Sequence, residues 1–348
     1  MRGRADAPFG GAADASSGRL SDSHLRHRQS NVRKDVAYYH GMIKHHGMIK
    51  LRLAAVVAGL SLTVSVFAQP PTANRSGEVE VESGVRIHYV EAGDLAARTT
   101  LLFVPGWSMS SAVWRDQLSR FASVARVVAL DPRSQGASTI TTHSNTPERR
   151  AQDLREVIRA LDLTNVVLVG WSQGVQDVAA YATAFNGESI AGYVLVDSAI
   201  SGGPAAAVAQ TDALKQQFEQ LALYSHFQRQ YLRGMMNAII HSASARQRID
   251  EYIEIGLATP PDLGISMLML DFIAVDRSAA MDKFNRPTLV VAAAESDELE
   301  AQRAMARRIK NARLELIADA GHAVFLDQPE RFNALLADFL RRVASGAP

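Results

Sequence analysis

Gly170-Trp171-Ser172-Gln173-Gly174 constrains this chain more than any other stretch. It follows Asn165-Val-Val-Leu-Val-Gly170, an apolar β-branched run that reads as a buried parallel strand, and it precedes Val175-Gln-Asp-Val-Ala-Ala-Tyr-Ala-Thr-Ala, which reads as a helix. A serine with glycine two residues before and two residues after, set between strand and helix, is the nucleophile-elbow pattern. The turn is tight and its central residue strained, so bulky neighbours at those two positions would clash and glycine supplies the missing volume. The geometry lifts the serine oxygen above the sheet edge and brings the next backbone N–H beside it. A plain Gly-Ser turn without chemistry is the bland alternative.

A tight elbow needs a sheet to stand on, and 348 residues, 47% of them hydrophobic, suffice for one large α/β domain or two smaller ones. The net charge is +1, with no basic stripe in the body of the chain, so nucleic acid is not an expected partner. There is no cysteine, which excludes disulfides, thiolate catalysis and cysteine-ligated metals.

Residues 1–47 differ from the rest, being rich in Arg, Ser, Asp, Gly and His with little apolar periodicity. They read as disordered or as lying upstream of the true start, with Met42 and Met48 as alternative starts. His24, His27, His40, His45 and His46 are enough for a metal cluster, but incidental histidines in a polar tail are the simpler reading. At 48–68, Lys50 and Arg52 precede an apolar run that closes on Val66-Phe67-Ala68, whose small residues at minus three and minus one fit signal-peptidase cleavage before Gln69. The run is short for a membrane span of about twenty residues. A signal peptide is the first reading and an uncleaved anchor the second; both export the protein to the periplasm or outside. Residues 69–77 read as a linker, and Asn74-Arg-Ser76 is a sequon.

Regular alternation begins at Glu78. Val79-Glu-Val-Glu and Val85-Arg-Ile-His-Tyr-Val predict a hairpin turning at Ser83-Gly84, with His88 on its polar face. Buried strands follow at Thr100–Val104, Val124–Leu130, Asn165–Gly170 and Gly192–Asp197. Thr146-Pro147 begins a helix with an N-cap threonine and proline at its first position. Alternation breaks after Ser198. Residues from about 202 to about 283 carry helical apolar stripes and no strong strand, and read as a helical cap inserted between two core strands. Strands resume at Pro287–Ala293 and Arg313–Ile317, and Phe332, Leu335, Leu336, Phe339 and Leu340 stripe a last helix. The whole predicts a mostly parallel, eight-stranded sheet flanked by helices, with residues 78–348 as its domain.

A serine hydroxyl is a poor nucleophile until a base takes its proton, and the base needs a carboxylate to fix its tautomer. In such a sheet the loops at the carboxyl ends of the strands converge, so the partners should sit just past strands. His322, in Ala320-Gly-His-Ala323, does so and is the expected base. Asp297, in Glu295-Ser-Asp-Glu298, is the expected acid; Glu295 and Glu298 compete, and Asp197 at the end of its own strand is the other candidate, with a structural hydrogen bond near the elbow as its plainer role. The backbone N–H of Gln173 and that of Trp107, in the loop after Thr100–Val104, are the expected oxyanion donors; the side chains of both are given no part.

Pro105-Gly106-Trp107, Asp131-Pro-Arg-Ser-Gln-Gly-Ala-Ser138, Gly170-Trp-Ser-Gln-Gly174, Glu295-Ser-Asp297 and Gly321-His322 stand in the order found in a known family. From about Val79 to Val343 the chain resembles the α/β-hydrolase superfamily, in the branch of cofactor-free haloperoxidase-like esterases and lactonases. It departs from that pattern at Pro105, where histidine is usual, at Ser134, where the first glycine of the Asp131 motif is usual, and at Val175, where a further glycine often follows the elbow. Relatives with aspartate in the elbow are haloalkane dehalogenases and epoxide hydrolases, and Ser172 argues against both. The resemblance implies the α/β-hydrolase fold and a serine hydrolase that cleaves a small carboxylic ester or lactone through an acyl-enzyme, with no cofactor and no metal. Amidase, C–C bond hydrolase or perhydrolase chemistry would use the same triad, and hydrolase-fold binding proteins without catalysis also exist. The Leu, Met and Tyr content of the cap suits an apolar substrate, or equally the packing of the cap onto the core.

Overall fold

A computed structural model describes residues 74–208 and 211–346, with the backbone alone at 208 and 211–217. The readings of residues 1–47 and 48–68, and of 69–73 within the linker, lie outside the described residues. The first strand begins at Arg75, three residues earlier than its alternation suggests, so Arg75 and Ser76 of the sequon lie within it.

Eight strands form one sheet: β1 (Arg75–Glu82), β2 (Val85–Ala92), β3 (Thr100–Val104), β4 (Arg126–Leu130), β5 (Val166–Trp171), β6 (Ile190–Val196), β7 (Thr288–Ala293) and β8 (Ala312–Ile317). Their spatial order is β1-β2-β4-β3-β5-β6-β7-β8. The β1–β2 and β2–β4 pairs are antiparallel and all the others parallel. Every residue of β3, β4, β5 and β7 is buried. Their uninterrupted apolar runs follow from being covered on both faces, and the period of two divides them between two cores. Leu101, Phe103, Val167, Val169, Val194 and Val196 face one side, with Trp114, Phe325 and Phe332. Leu102, Val104, Val166, Leu168, Tyr193 and Leu195 face the other, with Leu154, Val157, Ile158 and Val178.

Helices cover both faces. In chain order they are α1 (Arg115–Phe121), α2 (Pro147–Ala160), α3 (Gln173–Phe185), α4 (Gly203–Val208), α5 (Thr211–His226), α6 (Gln228–Ile239), α7 (Ala243–Arg246), α8 (Ile249–Leu257), α9 (Pro261–Leu268), α10 (Leu299–Arg308), α11 (Val324–Asp327) and α12 (Pro329–Ser345). Thr146 caps α2 by accepting the Arg149 N–H, and Pro147 opens it without losing a bond, because the first helical N–H has no intrahelical acceptor. The helices α4 to α9, a π-helical turn (Met269–Ile273) and a 3-10 turn (Ser278–Lys283) fill the stretch between β6 and β7. Among the described residues no single helix is long and apolar enough to cross a membrane.

The loop after β4 shows how one departure from the family pattern is accommodated. Ser134 adopts the left-handed φ of 62° where the family carries glycine. Its hydroxyl donates to Thr141 O at 3.2 Å and accepts the Thr141 N–H at 2.9 Å, bonds that offset the strain. Gly136 keeps its glycine for a stricter reason: φ is 55°, and a Cβ there would lie 2.4 Å from Asp131 Oδ2.

Asp131 organises that loop. It accepts the N–H groups of Ser111 (2.6 Å) and Ala137 (2.8 Å), and His88 Nδ1 lies 3.0 Å away. His88 is thus half-buried and partnered, where its strand pattern suggested a solvated face. Its hydrogen bond to Asp131 raises its pKa against the lowering effect of burial. Burial pushes Asp131 up, but the bonds from His88, Ala137 and Ser111 outweigh it and hold the carboxyl below its usual range. A raised histidine stabilises the fold fully below its unfolded value and loses that contribution as the pH climbs through its folded value. His88→Ala is expected to cost about 1–2 kcal/mol at pH 6 and clearly less at pH 9, read from urea unfolding midpoints. Equal losses at both pH values would mean that His88 stabilises by packing alone.

Candidate active site

The order of strands reverses around β3: the chain steps from β3 outward to β4 on one side and then back to β5 on the other. The loops leaving β3 and β5 therefore flank a crevice at their carboxyl ends. Val104 pairs with Gly170 in register, so Pro105-Gly106-Trp107 and Trp171-Ser172 leave the sheet side by side. A Cβ on Gly106 would lie 3.1 Å from the Ser172 Cβ, which measures how closely the two loops approach.

Ser172 has φ 55° and ψ −117°, a strained conformation for a residue with a side chain. It persists because its surroundings fix it. Its N–H donates to Val196 O at 3.1 Å. A Cβ on Gly170 would meet Gly174 O at 2.4 Å, and a Cβ on Gly174 would meet Val104 O at 2.7 Å, so both flanking glycines are sterically required. Ser172 is partly exposed between the buried residues Trp171 and Gln173. Gln173 is the first residue of α3, so its N–H has no acceptor within the helix and is free for a ligand.

His322 lies in the loop between β8 and α11. Its neighbours on either side are buried and it is itself half-buried. The loop is fixed from two directions. Trp171 Nε1 donates to His322 O at 3.0 Å, and Asp327 accepts the Gly321 N–H at 2.8 Å. The same Asp327 carboxylate accepts the N–H groups of His241 and Ser242, just past the end of α6, so the His322 loop and this part of the cap share one anchor.

The carboxylate set against His322 is Asp197, not the expected Asp297. His322 Nδ1 lies 2.8 Å from Asp197 Oδ2. Asp197 follows β6 with φ 44°, a left-handed turn that points its side chain along the sheet's carboxyl edge. Its second oxygen accepts the Ala293 N–H at 2.8 Å and Gln302 Nε2 at 3.3 Å, and the side chain is almost wholly buried. Asp297 is exposed on the loop after β7. Its neighbour Glu298 accepts the Ala199 N–H at 2.8 Å and the Ser198 hydroxyl at 3.2 Å, tying the β7 loop to the loop that carries Asp197. A carboxylate in this place would accept the ring proton on His322 Nδ1 and leave Nε2 unprotonated.

The side chains of Trp107 and Gln173, given no part in the sequence reading, are both engaged. Trp107 Nε1 donates to Gly264 O in α9 at 2.8 Å. Gln173 Nε2 donates to Asp271 Oδ2 in the π-helical turn, and Gln173 Oε1 accepts Gln135 Nε2 at 3.1 Å. Asp271 also accepts Arg150 Nη2 at 2.7 Å, and Arg150 Nε holds both oxygens of Asp177 at 2.9 and 3.0 Å. Burial raises the carboxyl of Asp177 to about 6 even though Arg150 pulls it down. Burial likewise raises Asp271 against the same arginine.

The cap's apolar residues divide between two roles. Tyr224, Leu232, Met236, Tyr252, Ile253 and Met267 are buried in the core that also holds Trp107 and Trp171. Tyr231, Met235, Ile239, Ile255, Ile265 and Leu268 are only partly buried against it and leave apolar surface open. Trp107 lies beneath two cap tyrosines, with ring centroids 4.9 Å from Tyr224 and 6.1 Å from Tyr231. A cavity of about 550 Å³ lies elsewhere, lined by His88, Ser111, Arg115, Asp131 and Glu251, and neither Ser172 nor His322 lines it. Among the described residues no group of three or more His, Asp or Glu side chains is placed to share a metal ion. The histidines of residues 1–47 lie outside the described residues.

Known proteins give the same fold and a family. A stretch of 123 residues is 32% identical to a bifunctional esterase/perhydrolase of Acinetobacter calcoaceticus, covering 35% of this chain and 44% of that protein. Over 276 residues the chain is 26% identical to a non-heme chloroperoxidase of Kitasatospora aureofaciens, covering 74% of this chain and 97% of that one. An esterase from Exiguobacterium antarcticum superposes with a TM-score of 0.68 at 19% identity, over 76% of this chain and 98% of its own, which is a likeness of fold. The profile of the alpha/beta hydrolase family matches residues 101–335. With an eight-stranded sheet of this order, a strained serine at the end of β5 and that match over most of its length, the chain belongs to the alpha/beta hydrolase family.

Proposed function

We propose that this hydrolase cleaves a small carboxylic ester or lactone with Ser172 as nucleophile, His322 as base and Asp197 as the acid that orients it. The observation that carries the reading is the 2.8 Å contact between His322 Nδ1 and the buried Asp197, on a sheet whose next crevice loop holds Ser172 in a strained, partly exposed turn. Ser172 Oγ attacks the carbonyl carbon while His322 Nε2 takes its proton. The backbone N–H groups of Gln173 and Trp107 receive the negative oxygen of the tetrahedral intermediate. His322 then protonates the departing alkoxide, leaving an acyl-enzyme. In the second half His322 takes a proton from water as the oxygen adds to the acyl carbon, then returns it to Ser172 Oγ as the C–O bond to the serine breaks and the acid leaves. The names of the esterase relatives support the ester substrate, and the half-buried Tyr231, Ile265 and Leu268 suit an apolar acyl or alcohol group. Export by way of residues 48–68 belongs to the same proposal, supported by the charge, length and closing Val66-Phe67-Ala68 of that segment.

The test is a paired assay on the full chain: turnover of p-nitrophenyl butyrate and decanoate, and labelling by a fluorophosphonate followed by peptide mapping. Turnover of either ester together with a label on Ser172 is expected. A label without turnover keeps the activated serine and discards simple esters as the substrate class. Neither turnover nor label overturns the hydrolase reading. Adding hydrogen peroxide to the active enzyme and assaying peracid separates perhydrolysis from hydrolysis, which matters because the Acinetobacter calcoaceticus relative is named for both.

A further inference from the structure

Both residues whose backbone N–H groups are assigned to the oxyanion hole are tied by their side chains to one short piece of the cap. Trp107 reaches Gly264 O, 157 positions away, and Gln173 reaches Asp271, 98 positions away. Gly264 and Asp271 belong to the continuous stretch formed by α9 and the π-helical turn. The bonds are shielded from water: Trp107 is 6% exposed, and Gln173 and Asp271 are not exposed at all. Resting on the hydrolase reading above, we infer that the cap segment Pro261–Ile273 sets the positions of the two oxyanion donors, with Asp271 and Gly264 as positioning residues.

Three features make this segment a fixed reference rather than a mobile cover. Asp271 is bound to Arg150, which projects from the core helix α2. The carbonyls of Leu270 and Asp271 accept Arg277 Nη1 at 3.0 and 2.9 Å, and Arg277 is paired with Glu148 on the same core helix at 2.8 Å. The turn itself is π-helical and closes with Ala274 N–H on Met269 O at 2.8 Å, a wide turn of the kind that occurs at functional positions. Gly264 lets α9 settle onto Trp107, since a Cβ there would lie 2.9 Å from Tyr224 Oη and 3.3 Å from Trp107 Cζ2. A plain structural role would satisfy the same buried donors and acceptors. What distinguishes the proposal is that both bonds end on the donor residues, one from each side of the crevice.

Trp107→Phe and Gln173→Met test it. Each keeps its backbone N–H and most of its packing volume while losing its bond to the cap. Each is expected to lower kcat for p-nitrophenyl butyrate about 10- to 100-fold with KM within about threefold, the size of effect that a small displacement of a catalytic group produces. Affinity for an alkyl trifluoromethyl ketone, whose serine adduct carries the oxyanion, should fall in step with kcat. Asp271→Asn retains an oxygen that accepts from Gln173 and should keep most of the activity. Arg233→Ala, which breaks an exposed pair with Asp250 elsewhere on the cap, should leave both readouts unchanged. The inference is overturned if the folded Phe and Met variants retain kcat, or if kcat falls while ketone affinity stays at the wild-type level. Failure of the hydrolase reading is visible separately, as a wild type that neither turns over ester nor takes the fluorophosphonate label.

Discussion

Asp197→Asn should lower kcat for p-nitrophenyl butyrate by about 10⁴-fold, whereas Asp297→Asn should leave it within about twofold of the wild type. The reasoning lies in the tautomer. On the proposed mechanism an ionised Asp197, 2.8 Å from Nδ1, holds the imidazole proton there and leaves Nε2 to accept from Ser172. An asparagine offers an amide N–H at that place, which favours a proton on Nε2 and blocks the transfer. Asp297 is exposed and His322 Nδ1 is already paired with Asp197, so the charge of Asp297 acts through water. Ser172→Ala sets the floor, with a loss of about 10⁶-fold. Steady-state kinetics of the three variants against the same ester decide the point. Equal losses from the two aspartate variants would move the acid back to the β7 loop.

Arg150→Ala is expected to destabilise the protein by about 3–5 kcal/mol, because it leaves two buried carboxylates, Asp177 and Asp271, without their shared cation. For a domain of this size that corresponds to a fall in melting temperature of roughly 10 °C. The loss should depend on pH in a definite direction. Burial already raises Asp177 to about 6 with the arginine present, and removing the arginine raises it further. A carboxyl with a raised folded pKa binds its proton more readily in the folded state, so folding gains as the pH falls through that range. Arg150→Ala should therefore be less damaging at pH 5 than at pH 8, by urea unfolding at each. An equal loss at both would mean that the arginine acts by packing and hydrogen-bond geometry rather than by charge. Replacing the group together, with Arg150→Met, Asp177→Leu and Asp271→Asn, should recover most of the stability, since no unpaired charge is then left inside.

The elbow is legible in the sequence because every requirement it imposes is local. Gly170, Ser172 and Gly174 are fixed by contacts within one turn and with the neighbouring strand, and the β-branched run before them announces the strand. His322 is legible for a similar reason: it directly follows a strand. The carboxylate that pairs with it is not, because Asp197 and Asp297 both follow buried strands and both loops end at the same sheet edge. What separates them is the left-handed φ of Asp197, the Ala293 N–H and Gln302 that hold its second oxygen, and the exposure of Asp297. None of these has a local signature, since Gln302 lies 105 residues from Asp197. The same holds for the side chain of Gln173. Its role depends on Asp271, in a cap whose helical periodicity can be read but whose seating on the core cannot.

The fixing of the His322 loop has a thermodynamic consequence. Trp171 holds the His322 carbonyl, Asp327 holds the amide just before it, and Asp197 holds the ring. Freezing a backbone residue costs roughly 1–2 kcal/mol of conformational entropy. In this chain that loss falls on folding, when the loop is bound down, and not on each encounter with a substrate. On the proposed mechanism His322 would meet every substrate molecule already ordered, and the free energy of substrate binding would remain available for the barrier itself.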